Sequence, residues 1–267
     1  MRNKVYLSVL VISFLTVFLA LTIIKSGVAT PLAPKNTQLA MKLLTGIPNL
    51  NSTIFSASPE VVTSVLWDQR GIDTFYETTV LFMAIVGVLY VFSAVREYRP
   101  TKSDKESTVI MRVIAKLITP LIIVVAASVT IHGHLTPGGG FQGGAIFVIG
   151  PLIIILTLGS SKLVELGLSK ERLLLVRSLA LIGIALLGIS LVLVGFLKGY
   201  LGYIFMNLPK TYLEIGFPYL IYLPWGIFLF SGTLLFFNIL EFLAVSAGFT
   251  LALTVLESFV EGEGNDH

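Results

Sequence analysis

The sequence predicts an all-α integral membrane protein of about six transmembrane helices with both termini in the cytoplasm, and not a soluble enzyme. Of its 267 residues, 55% are apolar and only 12% are charged, and the mean hydropathy is +0.92. A soluble domain carries about 25% charged residues, so this chain has too little polar surface to cover a globule in water. The lack of cysteine excludes disulfides, thiolate metal sites, cysteine-ligated iron–sulfur clusters and thiol nucleophiles.

Six apolar segments are long enough, or nearly so, to cross a bilayer core, which takes about 20 residues of helix. The first could be misread as a secretory signal, but its apolar run of about 20 residues exceeds the 7–15 of such signals, which favours a retained helix. The fourth is short and opens with glycines, and the last is long enough to require tilting, kinking or projection. The segments are approximately 5–24, 72–95, 113–131, 141–158, 173–197 and 225–256.

The distribution of lysine and arginine predicts the direction of these segments. With the N-terminus in the cytoplasm, the inner side holds twelve Lys and Arg residues and the outer side holds six. The short, dense loop at 96–112 decides the orientation. The small net charge of +3 is therefore interpreted as a topology signal in a cell-membrane protein, and no nucleic-acid partner is expected.

The same polar loop also predicts a boundary between two modules. We expect a two-helix module at 1–98, a charged cytoplasmic linker at 99–112 and a four-helix module at 113–267. Prolines in the long loop of the first module argue against a continuous helix there. No convincing internal repeat is present, so an inverted-repeat transporter is not supported.

Two carboxylates lie at the start of the second apolar segment. Asp73 and Glu77 are four residues apart and share one helical face. Glu77 lies about a turn and a half into the span, where an ionisable group is costly and is a functional candidate by default. Both are candidates for an ion path. The alternatives are a buried structural pair with Arg70 or capping at the membrane interface.

The most distinctive string is H-G-H-L-T-P-G-G-G-F-Q-G-G at 132–144. Its glycines permit sharp bends and close helix contacts. His132 and His134 can titrate near neutral pH, so they are candidates either for packing or for an ion path. A phosphate loop is a poor alternative because no Gly-Lys-Ser/Thr follows. A two-histidine metal site is weak because the spacing is i, i+2 and no further ligand is near.

Three more polar residues lie inside apolar segments. Asn238 and Glu241 are three residues apart on one face of the last helix, and a membrane glutamate must be protonated, paired or hydrated. An ion path and a buried interhelical hydrogen bond are both compatible with this pattern. Lys116 lies about one turn inside the third helix, where it either snorkels to the interface or pairs with a carboxylate across the bundle.

These strings resemble the Mrp-type, also called Mnh-type, multi-subunit sodium/proton antiporters. The run at 132–144 is similar to the signature of the family's B subunit, approximately G-H-x-x-P-G-G-G-F-x-G-G. The resemblance implies that 109–256, with four helices, is a B-subunit module. The matching residues are Gly133, His134, Pro137, Gly138, Gly139, Gly140, Phe141, Gly143 and Gly144.

The first half resembles a different piece, the C-terminal segment of the family's large A subunit, with a pattern of roughly R-G-x-D-T-x-x-E-x-x-V-L. Related membrane-bound hydrogenase and sulfur-reducing respiratory complexes carry both modules, usually as separate subunits. One departure is that Asn238 stands where the B subunit commonly has an aspartate, and Glu241 follows three residues later. The matching positions of the A-like segment are Arg70, Gly71, Asp73, Thr74, Glu77, Val80 and Leu81.

The resemblance implies a non-catalytic membrane subunit of a sodium/proton antiporter module attached to other antiporter subunits, the module standing alone or being coupled to hydrogenase-like or sulfur-reducing redox subunits. Glu77, His134 and Glu241 would then line or gate a path for Na⁺ and H⁺. No cofactor is expected in this chain. The competing hypotheses are a purely structural scaffold subunit and, less favoured, a stand-alone secondary transporter.

Overall fold

The computed structural model describes residues 2–26, 36–95, 100, 107–209 and 214–264. It contains two compact units, residues 1–42 and 43–267. The first contains helix α1 (Arg2–Lys25), and α2 (Gln38–Gly46) runs across the boundary. The second contains α3 (Val61–Ser64), a π-helical turn (Val65–Gln69), α4 (Gly71–Val95), α5 (Val109–Ile131), α6 (Gly140–Leu158), α7 (Ser160–Glu165), α8 (Lys170–Lys198), β1 (Leu220–Leu223), β2 (Gly226–Leu229) and α9 (Leu234–Gly264).

Five helices of the second unit are long and apolar enough to cross a membrane: Gly71–Phe92, Val109–Ile131, Gly140–Leu158, Lys170–Lys198 and Leu234–Ser258. The predicted first span lies within α1, a continuous helix of 24 residues. The expectation of a helical, multi-span membrane protein is thus confirmed. The direction of the termini and the division into modules remain predictions, and most of the predicted linker at 99–112 lies outside the described residues.

The last span differs from its predicted bounds. The sequence predicts a helix from residue 225, but α9 begins at Leu234. The residues before it form an antiparallel hairpin, in which Leu220 pairs with Leu229 and Leu223 with Gly226. Pro224 occupies the turn, and Gly226 has a φ of 152°, a conformation that L side chains rarely adopt. This backbone explains why the apolar run from 225 does not start as a helix.

Helix α9 is the centre of the second unit. It packs against α6, α8 and α4, while α6 also packs against α5. In the most apolar stretch of α9, 56% of the residues are buried inside the protein, compared with 11% in the corresponding stretches of α4 and α5. Most of the surface of α4 and α5 is therefore left to lipid or to other proteins.

Aromatic side chains close one end of this bundle, near the starts of α4 and α9. Trp67 is 1% exposed and stacks on Phe237, with ring centroids 4.6 Å apart. Phe205 contacts both rings and lies so near Gly71 and Gly188 that a Cβ on either would come within 3 Å of its ring. This aromatic cluster packs the π-helical turn and the loop that carries Phe205 against α8 and α9.

We expect Trp67→Ala to lower the stability of the bundle strongly. Removing a buried aromatic ring leaves a cavity and costs about 3–5 kcal/mol. The matched control is Trp225→Ala, because Trp225 is 82% exposed at the hairpin turn and surface changes usually stay within about 0.5 kcal/mol. Thermal unfolding of the purified membrane complex measures both, and equal melting temperatures for the two variants would contradict the assignment of the core.

Candidate ion-path site

The glycine-rich string places the start of α6 between α5 and α9 without intervening side chains. A Cβ on Gly140 would overlap the Asn238 carbonyl and lie 2.6 Å from the Cβ of Glu241. A Cβ on Gly143 would overlap the Thr130 hydroxyl of α5. One on Gly144 would lie 2.8 Å from the Cβ of Val245. Each of these positions thus requires glycine for the helices to approach as they do.

The loop before α6 folds back on itself. A Cβ on Gly133 would lie 2.7 Å from the Cα of Gly139, and one on Gly138 would lie 2.7 Å from the Val129 carbonyl. Gly139 has a φ of 148°, which few other residues tolerate. Pro137 and Phe141 are exposed, and the ring of Phe141 makes an edge contact with Phe249 of α9.

The two histidines of the string occupy different environments. His132 is exposed and its Nδ1 lies 3.0 Å from the Ser128 carbonyl one turn earlier. His134 is fully buried, and its Nε2 donates to the Leu229 carbonyl of β2 at 3.1 Å. Its backbone carbonyl accepts from the Ser58 hydroxyl at 2.5 Å. Thr63 likewise donates to the neighbouring Gly133 carbonyl at 2.6 Å.

These bonds make His134 the point where the glycine-rich loop, the hairpin and the segment before α4 meet. Burial lowers the pKa of His134 below its ordinary 6.5, although the carbonyls of Leu229 and Ile131 favour the proton; the nearby His132 also lowers it. Because Nε2 donates its hydrogen, Nδ1 is the unprotonated nitrogen of a neutral ring. Within the described residues, this buried Nδ1 has no hydrogen-bond partner.

Asn238 and Glu241 lie where α9 meets the glycine-rich string. Asn238 is 1% exposed, and its side-chain nitrogen lies 2.8 Å from where a Cβ on Gly133 would be. Glu241 is 8% exposed, and its carboxylate accepts a hydrogen bond from the backbone N–H of Phe141, in the first turn of α6. A helix N-terminus offers free N–H groups and a partial positive charge to such a carboxylate.

Glu77 approaches Glu241 from α4, close enough for the two carboxylates to interact electrostatically. Glu77 is itself exposed and lines an open groove of about 670 Å³ on α4. Arg70 and Asp73, also exposed, form an ion pair of 2.7 Å at the same groove. The groove is lined by Arg70, Asp73, Tyr76, Glu77, Val80, Leu81 and Ala84.

The remaining candidate, Lys116, lies apart from this site. It is exposed on α5, and in the described part of the chain no carboxylate lies within ion-pair distance of it. Its exposed position agrees with snorkelling to the interface.

Sequence reasoning missed Arg177. This residue of α8 is 2% exposed, donates from Nη2 to the Leu81 carbonyl of α4 at 2.9 Å and lies 4.5 Å above the ring of Phe82. The available signal was its place inside an apolar segment, where a charge marks a functional candidate. In the sequence, Arg177 contributes only to the count of Lys and Arg residues on the inner side.

The described residues contain no group of three or more His, Asp or Glu side chains placed to hold a metal ion. The polar groups near the start of α6 are the carboxylates of Glu77 and Glu241, the amide of Asn238 and the N–H groups of the first turn of α6. This set can bind and release protons or a monovalent cation, but it offers no partnered nucleophile.

Comparison with known proteins shows the family of this chain. Residues 110–251, more than half of the chain, match the family described as a domain related to the MnhB subunit of Na⁺/H⁺ antiporters. The chain belongs to this family. An uncharacterized protein of Methanocaldococcus jannaschii is 28% identical over 187 residues, which cover 61% of this chain and 70% of that relative.

Two solved structures share the fold of this MnhB-related chain. One chain of the membrane-bound sulfane sulfur reductase, an archaeal respiratory membrane complex, is 24% identical with a TM-score of 0.64, and the match covers 96% of this chain and 98% of that one. A chain of the Mrp complex from Dietzia sp. DQ12-45-1b is 22% identical with a TM-score of 0.63, and the match covers 92% of this chain but only 25% of that one.

Adding one methyl group at Gly143 is expected to destabilise the junction of α5 and α6. Because the Cβ would overlap Thr130 and lie 2.8 Å from the Ala126 carbonyl, Gly143→Ala should cost about 1–3 kcal/mol. The control is Gly87→Ala in α4, where nothing lies within 4 Å of the new Cβ and a helical Ala gains about 0.5–1 kcal/mol. Melting temperatures that shift the same way in both variants would refute the packing role.

The stability of the subunit is expected to fall in mild acid through His134. The unfolded chain takes up the proton near pH 6.5, whereas the folded ring, with its lowered pKa, stays neutral to lower pH. Stability is therefore full above about pH 6.5 and is lost below it, where the unfolded state binds more protons. The melting temperature of the complex between about pH 7.5 and 5.5 should fall less in His134→Gln than in wild type. His132→Gln leaves the buried ring in place and removes only a smaller cause of its lowered pKa, so it should keep most of the wild-type slope, and an unchanged slope in His134→Gln would disprove the assignment.

Proposed function

We propose that this chain is a non-catalytic subunit of an Mrp-type sodium/proton antiporter module within a larger respiratory complex of the cell membrane. Membership of the MnhB-related family supports the antiporter module. The full-length likeness to one chain of a respiratory membrane complex supports the larger assembly. The partners are other antiporter subunits and a redox module of the hydrogenase-like or sulfur-reducing kind.

The observation that supports an ion-path role is that Glu77 and Glu241 lie on two helices that pack against each other, α4 and α9, with the charge of Glu77 acting on Glu241. Two ionised carboxylates repel strongly where the surroundings are apolar. A proton or a Na⁺ ion bound between them relieves that repulsion. The pair thus has a reason to hold one cation, and exchange of a proton for Na⁺ leaves the net charge of the site unchanged.

The surroundings of the two carboxylates suit cation exchange because one of them is exposed to the groove and the other is buried. Glu241 is buried against the first turn of α6, while Glu77 faces the open groove on α4. A cation arriving through the groove meets Glu77 first and Glu241 behind it. Asn238, one turn from Glu241 on the same helix, adds a buried amide whose nitrogen has no partner among the described residues. Its oxygen is a suitable ligand for a hard cation.

A scaffold role is the second candidate, and the environment of His134 favours it for that residue. Its ring and backbone hold three segments together, and a fully buried ring gives a passing ion no access. We therefore assign His134 to positioning the glycine-rich loop and keep the ion path for the carboxylates.

The deciding measurement is Na⁺-dependent proton movement in vesicles that hold the whole complex. Glu77→Gln and Glu241→Gln should each lower exchange by about tenfold or more, the factor produced by roughly 1.4 kcal/mol, while subunit assembly is unchanged. Glu171→Gln is the matched control, because this carboxylate is exposed in the first turn of α8, away from the groove.

The alternatives give different results in the same vesicles. If exchange is unchanged in Glu77→Gln and Glu241→Gln at matched assembly, the pair is structural and the subunit is a scaffold. If the purified chain moves Na⁺ or protons when reconstituted alone, it is a stand-alone transporter and the subunit assignment is wrong.

A further inference from the structure

Arg177 is a buried positive charge near the middle of the bundle. Its hydrogen-bond acceptor, the Leu81 carbonyl, is ten residues from the start of α4 at Gly71, or about 15 Å along a helix axis. The whole span of α4 is 22 residues, about 33 Å. Side chains with a full charge are rare at this depth and are costly to keep there, so the residue calls for an explanation beyond packing.

The guanidinium is only partly satisfied. Nη2 donates to Leu81 and the Cζ atom stacks over Phe82, but the buried Nη1 has no hydrogen-bond partner among the described residues. No carboxylate in that part of the chain lies within ion-pair distance of it. Its positive charge is therefore not neutralised by a salt bridge in the described part of the chain, and it repels any cation that approaches.

The space around Arg177 is closely packed. The hollow around it is lined by Thr78, Leu81, Phe82, Leu181 and Ala244, and it has no room for a water-sized sphere. The groove at Glu77, by contrast, encloses about 670 Å³. Leu81 lines both spaces. A cation that moves from the groove into the bundle thus meets close packing and a fixed positive charge one turn beyond Glu77 on the inner side of α4.

Along α9, as along α4, the carboxylate comes first and the hollow of Arg177 follows about one turn later. Asn238 and Glu241 lie beside the glycine-rich loop, Ala244 lines the hollow of Arg177, and Gly248 lets the arginine stem pass, with Nε 3.3 Å from where its Cβ would be. The charge therefore separates the carboxylate pair from the end of the bundle at which α8 begins.

We propose that Arg177 is an electrostatic barrier that closes one side of the Glu77–Glu241 site, so that cations enter and leave the site only by the groove. The inference rests on the proposed ion-path function and deepens it. A path open at both ends would let protons or Na⁺ run down their gradients, whereas exchange requires a site that is closed on one side at a time.

Passive proton leak tests the barrier separately from exchange. Vesicles that hold the whole complex receive a pH step without Na⁺, and an internal pH-sensitive dye reports its decay. Arg177→Gln should raise the leak by about tenfold, the factor given by roughly 1.4 kcal/mol off a barrier. Arg177→Lys keeps the charge and should not leak. The matched control Arg172→Gln removes an exposed arginine five residues earlier on α8 and should also stay tight.

A second pair of variants keeps the arginine and so tests the charge even where Arg177→Gln fails to assemble. Thr78 lines the hollow of Arg177, and aspartate is close to threonine in size. Thr78→Asp places a carboxylate beside the guanidinium, cancels its charge and should raise the leak. Thr78→Asn makes the same change of shape without the charge and should not.

The outcomes separate this proposal from the one on which it rests. The barrier is overturned if assembled Arg177→Gln or Thr78→Asp vesicles are as tight as wild type, or if Arg177→Lys leaks as much as Arg177→Gln. Leak in the charge-cancelling variants together with normal exchange in Glu77→Gln overturns the ion-path role of Glu77 alone. Lost exchange in Glu77→Gln with no leak in any Arg177 variant overturns the barrier alone.

Discussion

The close approach of α6 to its two neighbours is the constraint on which the rest of the structure depends. Glycine backbone at the start of α6 contacts α5 on one side and α9 on the other, at distances that no larger residue permits. Without an aqueous hydrophobic effect, membrane helices associate through such close packing and through polar contacts. Because α9 is held there, its polar face is also held against the loop and against α4.

That packing concentrates the polar groups of an otherwise apolar bundle around α9. Glu241 lies against the first turn of α6, whose unpaired N–H groups stabilise a negative charge, and the negative charge of Glu77 on α4 repels it. Arg177 lies about one turn away along the same helix contact. Attraction and repulsion thus act on Glu241 from different helices, and small shifts of α4 change their balance. This is a suitable setting for a group that exchanges one cation for another.

Hydropathy sufficed to predict the spans because each is a long apolar run, but it could not separate an apolar strand from the start of a helix. The hairpin before α9 was therefore assigned to the last span. The candidate carboxylates were each predicted from their depth in a span. Their meeting was not, because it depends on how α4 packs against α9. Arg177 was missed for the same reason, since only the tertiary structure reveals that it points into the bundle and not to the interface.

The packing around α9 gives a physical reason for Asn238 to stand where the B subunit commonly has an aspartate. Asn238 lies against Gly133 and Gly139, inside the closed glycine-rich loop, where an ionised carboxylate would be buried without a cation. Glu241, one turn on, lies beside the first turn of α6, on a helix that also packs against α4. Moving the carboxylate by one turn therefore takes it from the loop to the contact with α4. Because Glu77 and Glu241 belong to one polypeptide, the packing of α4 against α9 within this chain sets how the two carboxylates are placed.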